Sequence, residues 1–64
     1  MDLSNSRIRE VIGEYVQGER DRRIIERRLI DKIGLEMLAE EFQLSDTQVK
    51  RIVKKWSIVI FRHY

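Results

Sequence analysis

The stretch "LSDTQVKRI", residues 44–52, decides the reading of this chain. Ser45 followed three positions later by Gln48 is a reciprocal helix-start signature. The serine hydroxyl can accept from the N–H of the third helical residue, while the glutamine amide reaches back to the N–H of the serine. Leu44 before the cap and Val49 at the fourth helical position supply the apolar pair that sets the angle of entry. A helix therefore begins after Ser45. Stepping about 100° per residue, Val49, Ile52, Val53, Trp56 and Ile60 gather on one side, with Thr47, Arg51 and Lys54 opposite and Lys50 and Lys55 on the flanks. No stop signal precedes the end of the sequence, so this helix is long and runs to about residue 62.

Working backwards, Leu35, Leu38, Ala39 and Phe42 form one apolar stripe over a short helix that breaks at Gln43 and Leu44. Before it, Ile24, Ile25, Leu29 and Ile30 pattern a helix over residues 20–32, with Gly34 available to end it in a left-handed conformation. At the start, Ser4 and Ser6 offer caps, and Ile8, Val11, Ile12, Tyr15 and Val16 pattern a helix over residues 5–16 that stops near Gly18. Proline is absent, glycine occurs only at 13, 18 and 34, and 38% of residues are charged, a composition that favours helices over strands. The expectation is an all-α, four-helix domain occupying residues 1–64, with no repeat, linker or low-complexity segment.

A single core of this size is marginal, and without cysteine neither a disulfide nor a thiolate metal site can support it. The first ten residues, "MDLSNSRIRE", carry neither an apolar run nor a basic lead, and no segment approaches the length that spans a bilayer. The expected location is the cytoplasm, with no membrane partner.

Two short helices joined by a tight turn, with the small Ala39 where they cross, form the helix-turn-helix pattern, here over residues 35–55. The stretch "RRLIDKIGLEMLAEEFQLSDTQVKRIVKK" resembles region 4 of the sigma-70 family, and more loosely other bacterial and phage helix-turn-helix regulators. The resemblance covers residues 20–55 and is best over "LEMLAEEFQLSDTQVKRIVKK". It implies that residues 35–42 are the supporting helix, that the recognition helix begins at Asp46, and that Val49 and Ile52 face inward. Gln43 departs from the family, which often has glycine there. A non-glycine residue in a left-handed turn costs about 1 kcal/mol. Nothing in the chain corresponds to the separate sigma-factor regions that melt promoters, so the resemblance is to a region 4-like module standing alone.

The charge distribution points the same way. The net charge is only +2, but residues 1–19 sum to −2, 20–33 to +3, 34–46 to −4 and 47–64 to +5. Recognition helices read bases from their first turns and hold phosphates elsewhere, which makes Thr47 and Arg51 the candidate base readers and Lys50, Lys54 and Lys55 the candidate phosphate contacts. Gln48 has two claims on it, an adenine edge and the capping box. Asp46 complements the helix dipole before it is read as an acceptor for a cytosine amino group. In "RDRRIIERR", the pairs Glu19–Arg23, Arg22–Glu26 and Arg27–Asp31 have four-residue spacing and describe a self-neutralised solvent face, with Arg22, Arg23 and Arg27 as secondary candidates for the DNA backbone. Glu36, Glu40 and Glu41 read as a solvent face, or as a surface for a polymerase or another regulator.

An enzyme is not expected, because no carboxylate pair, activated nucleophile or glycine-rich phosphate loop is visible, and no cofactor or metal is implied. The single histidine, His63, falls on the inward-leaning side of the last helix, and Tyr15, Phe42 and Trp56 read as core. Ile58 lies in line with Arg51 on the outward face, with Phe61 and Val59 nearby. These three suggest a second interface, covered by the first helix or, in the favoured reading, by a second copy in a homodimer on two half-sites. The expected function is sequence-specific binding of double-stranded DNA in transcription regulation, in a bacterium or phage by resemblance. The alternative is a protein-interaction module that binds a sigma factor or RNA polymerase subunit and has no DNA site of its own.

Overall fold

Four helices follow one another in the computed structural model, which describes residues 5–64: α1 (Asn5–Tyr15), α2 (Glu19–Leu29), α3 (Leu35–Phe42) and α4 (Asp46–His63). The all-α class and the order of elements agree with the sequence pattern, and α3 has the expected bounds. The candidate cap Ser4 lies outside the described residues.

The apolar stripes meet in two clusters. Ile8, Val11, Ile12 and Val16 close on Ile25, Trp56 and Ile60, joining α1 to α2 and α4. Ile24, Leu38, Ala39 and Val49 join α2 to α3 and α4. Ile52 and Val53 pack against both clusters, so α4 is common to them. The helices α1 and α3 each pack on α2 and α4 but not on each other. The radius of gyration, 11.0 Å, is close to the roughly 10.7 Å of a compact chain this long. No buried side-chain polar atom among the described residues lacks a partner.

Between α1 and α2 the chain turns at Gly18, whose φ of 91° lies in the region that side chains disfavour. Gly18 then serves as the N-cap of α2 without a side-chain bond, and Glu19 and Asp21 in the first turn offset the helix dipole.

The end of α2 differs from the expectation in two respects. The helix stops at Leu29 rather than residue 32, and the left-handed residue is Lys32 (φ 59°), not Gly34. Gly34 is extended (φ −67°, ψ 155°) and caps the start of α3. The cause is the split core. Ile30 packs against the first cluster and Ile33 against the second, whereas residues three apart in a helix share a face. The chain must leave the helix between them. Its bonds widen accordingly: the Asp31 N–H donates to the Glu26 carbonyl at 3.4 Å and the Ile33 N–H to the Arg27 carbonyl at 3.0 Å.

The turn from α3 to α4 is shorter and tighter. Gln43 is left-handed (φ 55°, ψ 46°). Its N–H donates to the Glu40 carbonyl at 3.3 Å, and that of Leu44 to the Ala39 carbonyl at 2.8 Å, the paired bonds of a Schellman ending. Ser45 follows in an extended conformation. Its hydroxyl accepts from the Gln48 N–H at 3.1 Å, and the Gln48 Oε1 accepts from the Ser45 N–H at 3.0 Å. Both halves of the capping box are present, and Leu44 packs in the same cluster as Val49.

Two substitutions in this turn should move stability in opposite directions. Ser45→Ala loses the cap and should cost about 1 kcal/mol, lowering the melting temperature of so small a domain by about 4–8 °C. Gln43→Gly relieves the left-handed side chain and should gain up to about 1 kcal/mol. Thermal unfolding followed by circular dichroism measures both, and an unchanged melting temperature for Ser45→Ala contradicts the capping box.

Candidate nucleic-acid interface

The inward residues of α4 divide into buried Val49, Trp56 and Ile60 and half-buried Ile52, Val53 and Val59, while Thr47, Lys50, Arg51, Lys54 and Lys55 are all exposed. The orientation inferred from helical periodicity is therefore the one adopted. Beyond Asp46, α4 contains no acidic residue. Among the described residues, Lys50, Arg51 and Lys54 have no hydrogen bond or ion pair, and the Lys55 ammonium lies 4.6 Å from the centre of the Trp56 ring. Gln48 is placed differently. Its Oε1 is taken by the Ser45 N–H, which removes the acceptor half of a bidentate contact to adenine.

The arginines of α2 are arranged in the opposite way, because each has an internal partner. Arg20 meets Asp21 and Arg23 meets Glu19, both at 3.5 Å, and Arg28 donates to the Ile33 carbonyl at 3.1 Å. Arg22 does not pair with Glu26. Its Nε donates at 2.8 Å to the Val16 carbonyl and its Nη2 at 3.5 Å to that of Gly13, satisfying the end of α1. Arg27 forms a fork on Glu41, with contacts of 2.9 and 3.1 Å, and also meets Asp31 at 3.1 Å. The hydrogen bond that Arg27 donates to Glu41, then the charge of Glu41, raises the Arg27 pKa above the usual arginine value. Arg22 and Arg27 thus hold the helices together. Arg23 is the one of the three candidates whose partner is an exposed glutamate of its own helix. Glu41 joins α3 to α2 through this fork, and among the described residues Glu36 and Glu40 are the carboxylates of α3 without an ion pair.

Contacts distant in sequence complete the frame around α4. The Trp56 indole N–H donates to Asp21 Oδ2 at 2.9 Å, across 35 residues. His63 stacks on Tyr15, with ring centres 3.9 Å apart and planes 9° from parallel. The Arg7 guanidinium donates to the Tyr64 main-chain oxygen at 3.1 Å and lies over its ring. Of the residues assigned to a second interface, Val59 is instead packed against the first cluster. It stands about 100° round the helix from Ile58, on the side that meets α1. Ile58 and Phe61 remain exposed, so α1 does not cover them.

A cleft of 530 Å³ opens where α1 and α3 fail to meet, bordered by Arg9, Arg23, Glu26, Arg27, Asp31 and Glu41 among others. Its charges are mixed and largely paired, so it offers no field of one sign. Among the described residues no cluster could hold a metal ion, and no helix is long and apolar enough to cross a membrane. Comparison with protein-family models, curated proteins and solved structures finds no match.

The bond between Asp21 and Trp56 anchors the middle of α4 to α2, and losing it should be measurable. Asp21→Ala should destabilise the domain by about 1–2 kcal/mol, the value of a partly buried hydrogen bond to a charged acceptor. Arg23→Ala, which loses only an exposed pair, should change stability little. Urea titrations followed by Trp56 fluorescence compare the two directly.

Proposed function

We propose that the chain binds double-stranded DNA sequence-specifically and acts in transcription regulation, with α3 and α4 as a helix-turn-helix of the sigma-70 region 4 type. The observation that carries this reading is the contrast between two basic helices. Each arginine of α2 has a partner within the chain, whereas Lys50, Arg51 and Lys54 stand together and unpartnered on the outward face of a helix whose start is fixed by a capping box. A face with cations and no carboxylates favours a polyanion, and a rigid helix N-terminus suits a groove about 12 Å wide.

In this reading the first turns of α4 enter the major groove. Thr47 and Arg51 face the base edges, and Lys50, Lys54 and Lys55 meet phosphates on either side. From α2 it is Arg23 that reaches the backbone, because Arg22 and Arg27 are occupied. The helix is roughly 27 Å long, so its C-terminal half lies beyond the groove.

A second reading draws on that half. Ile58 and Phe61, 56% and 52% exposed, are large apolar side chains with no neighbour to cover them. They suit a protein-interaction module that binds a sigma factor or RNA polymerase subunit without contacting DNA.

Two alanine variants separate the readings. Arg51→Ala should weaken a site selected from a random duplex pool by about 1–3 kcal/mol and a scrambled duplex far less. Lys50→Ala should weaken both alike and lower the salt slope by about one unit. Titration of each variant at several salt concentrations is the measurement. If the native chain shows no salt-dependent affinity for any duplex, the DNA reading fails and the interaction module replaces it.

A further inference from the structure

Three large apolar side chains stand well out of the fold, Met37 at 64% exposure, Ile58 at 56% and Phe61 at 52%. Their surroundings are opposite in charge. On α4, Lys54 lies one turn before Ile58 and Arg62 one turn after it, and residues 47–64 contain no acidic side chain. On α3, Met37 is bracketed by the exposed Glu36 and Glu40, within a segment that sums to −4. Neither carboxylate pairs with a cation of α4 among the described residues, so the two patches do not neutralise each other within one chain. Beside Met37 the surface is concave. A recess of 220 Å³ lies between Arg27, Ile33, Met37, Glu40 and Glu41; Ile33 and Met37 form its apolar wall, and with Arg27 and Glu41 paired to each other the unpaired charge on its rim is the Glu40 carboxylate.

We propose that the chain associates with itself head to tail, the α3 face around Met37 of one copy receiving Ile58 and Phe61 from α4 of the next. Phe61 enters the recess beside Met37, where a thioether against an aromatic ring is a favourable contact. Lys54 and Arg62 then meet Glu36 and Glu40. Symmetric pairing of α4 on α4 about Ile58 is disfavoured by the same charges, because it sets Lys54 of each copy against Arg62 of the other with no acidic side chain between them. The complementary surface is on α3, and a head-to-tail contact, made one way between two different patches, leaves both ends of a dimer open to further growth. The interface is small, so association is weak, in the range of tens to hundreds of micromolar. The inference stands whether or not the chain binds DNA.

Sedimentation velocity of the whole chain without DNA tests it, from tens of micromolar to about one millimolar at low and high salt. The expected result is a sedimentation coefficient that rises with concentration past that of a dimer and falls back as salt is added. The double variants Glu36→Lys/Glu40→Lys and Lys54→Glu/Arg62→Glu, each verified as folded by circular dichroism, should associate at least about tenfold more weakly alone. An equimolar mixture of the two should regain association, because each then offers the other a complementary face. A second pair, Met37→Ser and Phe61→Ser, should abolish association without altering charge. A chain that stays monomeric at millimolar concentration in low salt overturns the proposal. So does a closed dimer that does not grow, or association unaffected by either charge reversal.

Discussion

The sharing of α4 between two hydrophobic clusters is the constraint on which the rest of the structure depends. Ile52 and Val53 pack against both clusters, with Val49 fixed in one and Trp56 and Ile60 in the other. A helix held at these positions cannot rotate about its axis without withdrawing an apolar side chain from one cluster, at a cost of about 1.5–3 kcal/mol for each one exposed. Its outward face is therefore determined by its inward one. The basic character of that face is a separate choice, since core packing places no requirement on Lys50, Arg51 or Lys54.

The split core also explains the connections. The chain leaves α2 early to send Ile30 and Ile33 to different clusters, and it accepts a left-handed Lys32 to do so. Between α3 and α4 it accepts a left-handed Gln43, at about 1 kcal/mol, because only a short turn brings Leu38 and Ala39 against Val49. The capping box offsets part of that cost by satisfying two N–H groups, those of Ser45 and Gln48. Local strain at two residues is exchanged for a core that closes without metal or disulfide.

What the sequence revealed, and what it hid, divides by distance along the chain. The start of α4, the bounds of α3 and the inward set on α4 rest on signals three to five residues apart, and each was readable. Glu19–Arg23 and Arg27–Asp31 were readable for the same reason. The fork between Arg27 and Glu41 spans 14 residues and the bond between Trp56 and Asp21 spans 35, and no local pattern announces either. Arg22 looked like a surface cation because its true acceptors are main-chain carbonyls, which carry no signature in the sequence. Val59 was grouped with Ile58 by proximity along the chain, although one step along a helix is about 100° around it.

These long-range contacts also determine which residues are free to serve a surface. Arg22 and Arg27 in α2 are committed to carbonyls and carboxylates of neighbouring elements, so replacing either disturbs the frame before it disturbs any partner. On α4 the reverse holds. Trp56, tied to Asp21 and overlaid by Lys55, fixes the helix near its middle. On either side of that anchor the outward residues are exposed: Thr47, Lys50, Arg51 and Lys54 before it, Ile58 and Phe61 after it. Exposed substitutions at such positions usually change stability by less than about 0.5 kcal/mol. Affinity and fold are therefore physically separable along this helix. A loss of binding on changing an outward residue of α4 reports on the partner it meets, whereas the same loss on changing Arg22, Arg27 or Asp21 reports on the scaffold that aims the helix.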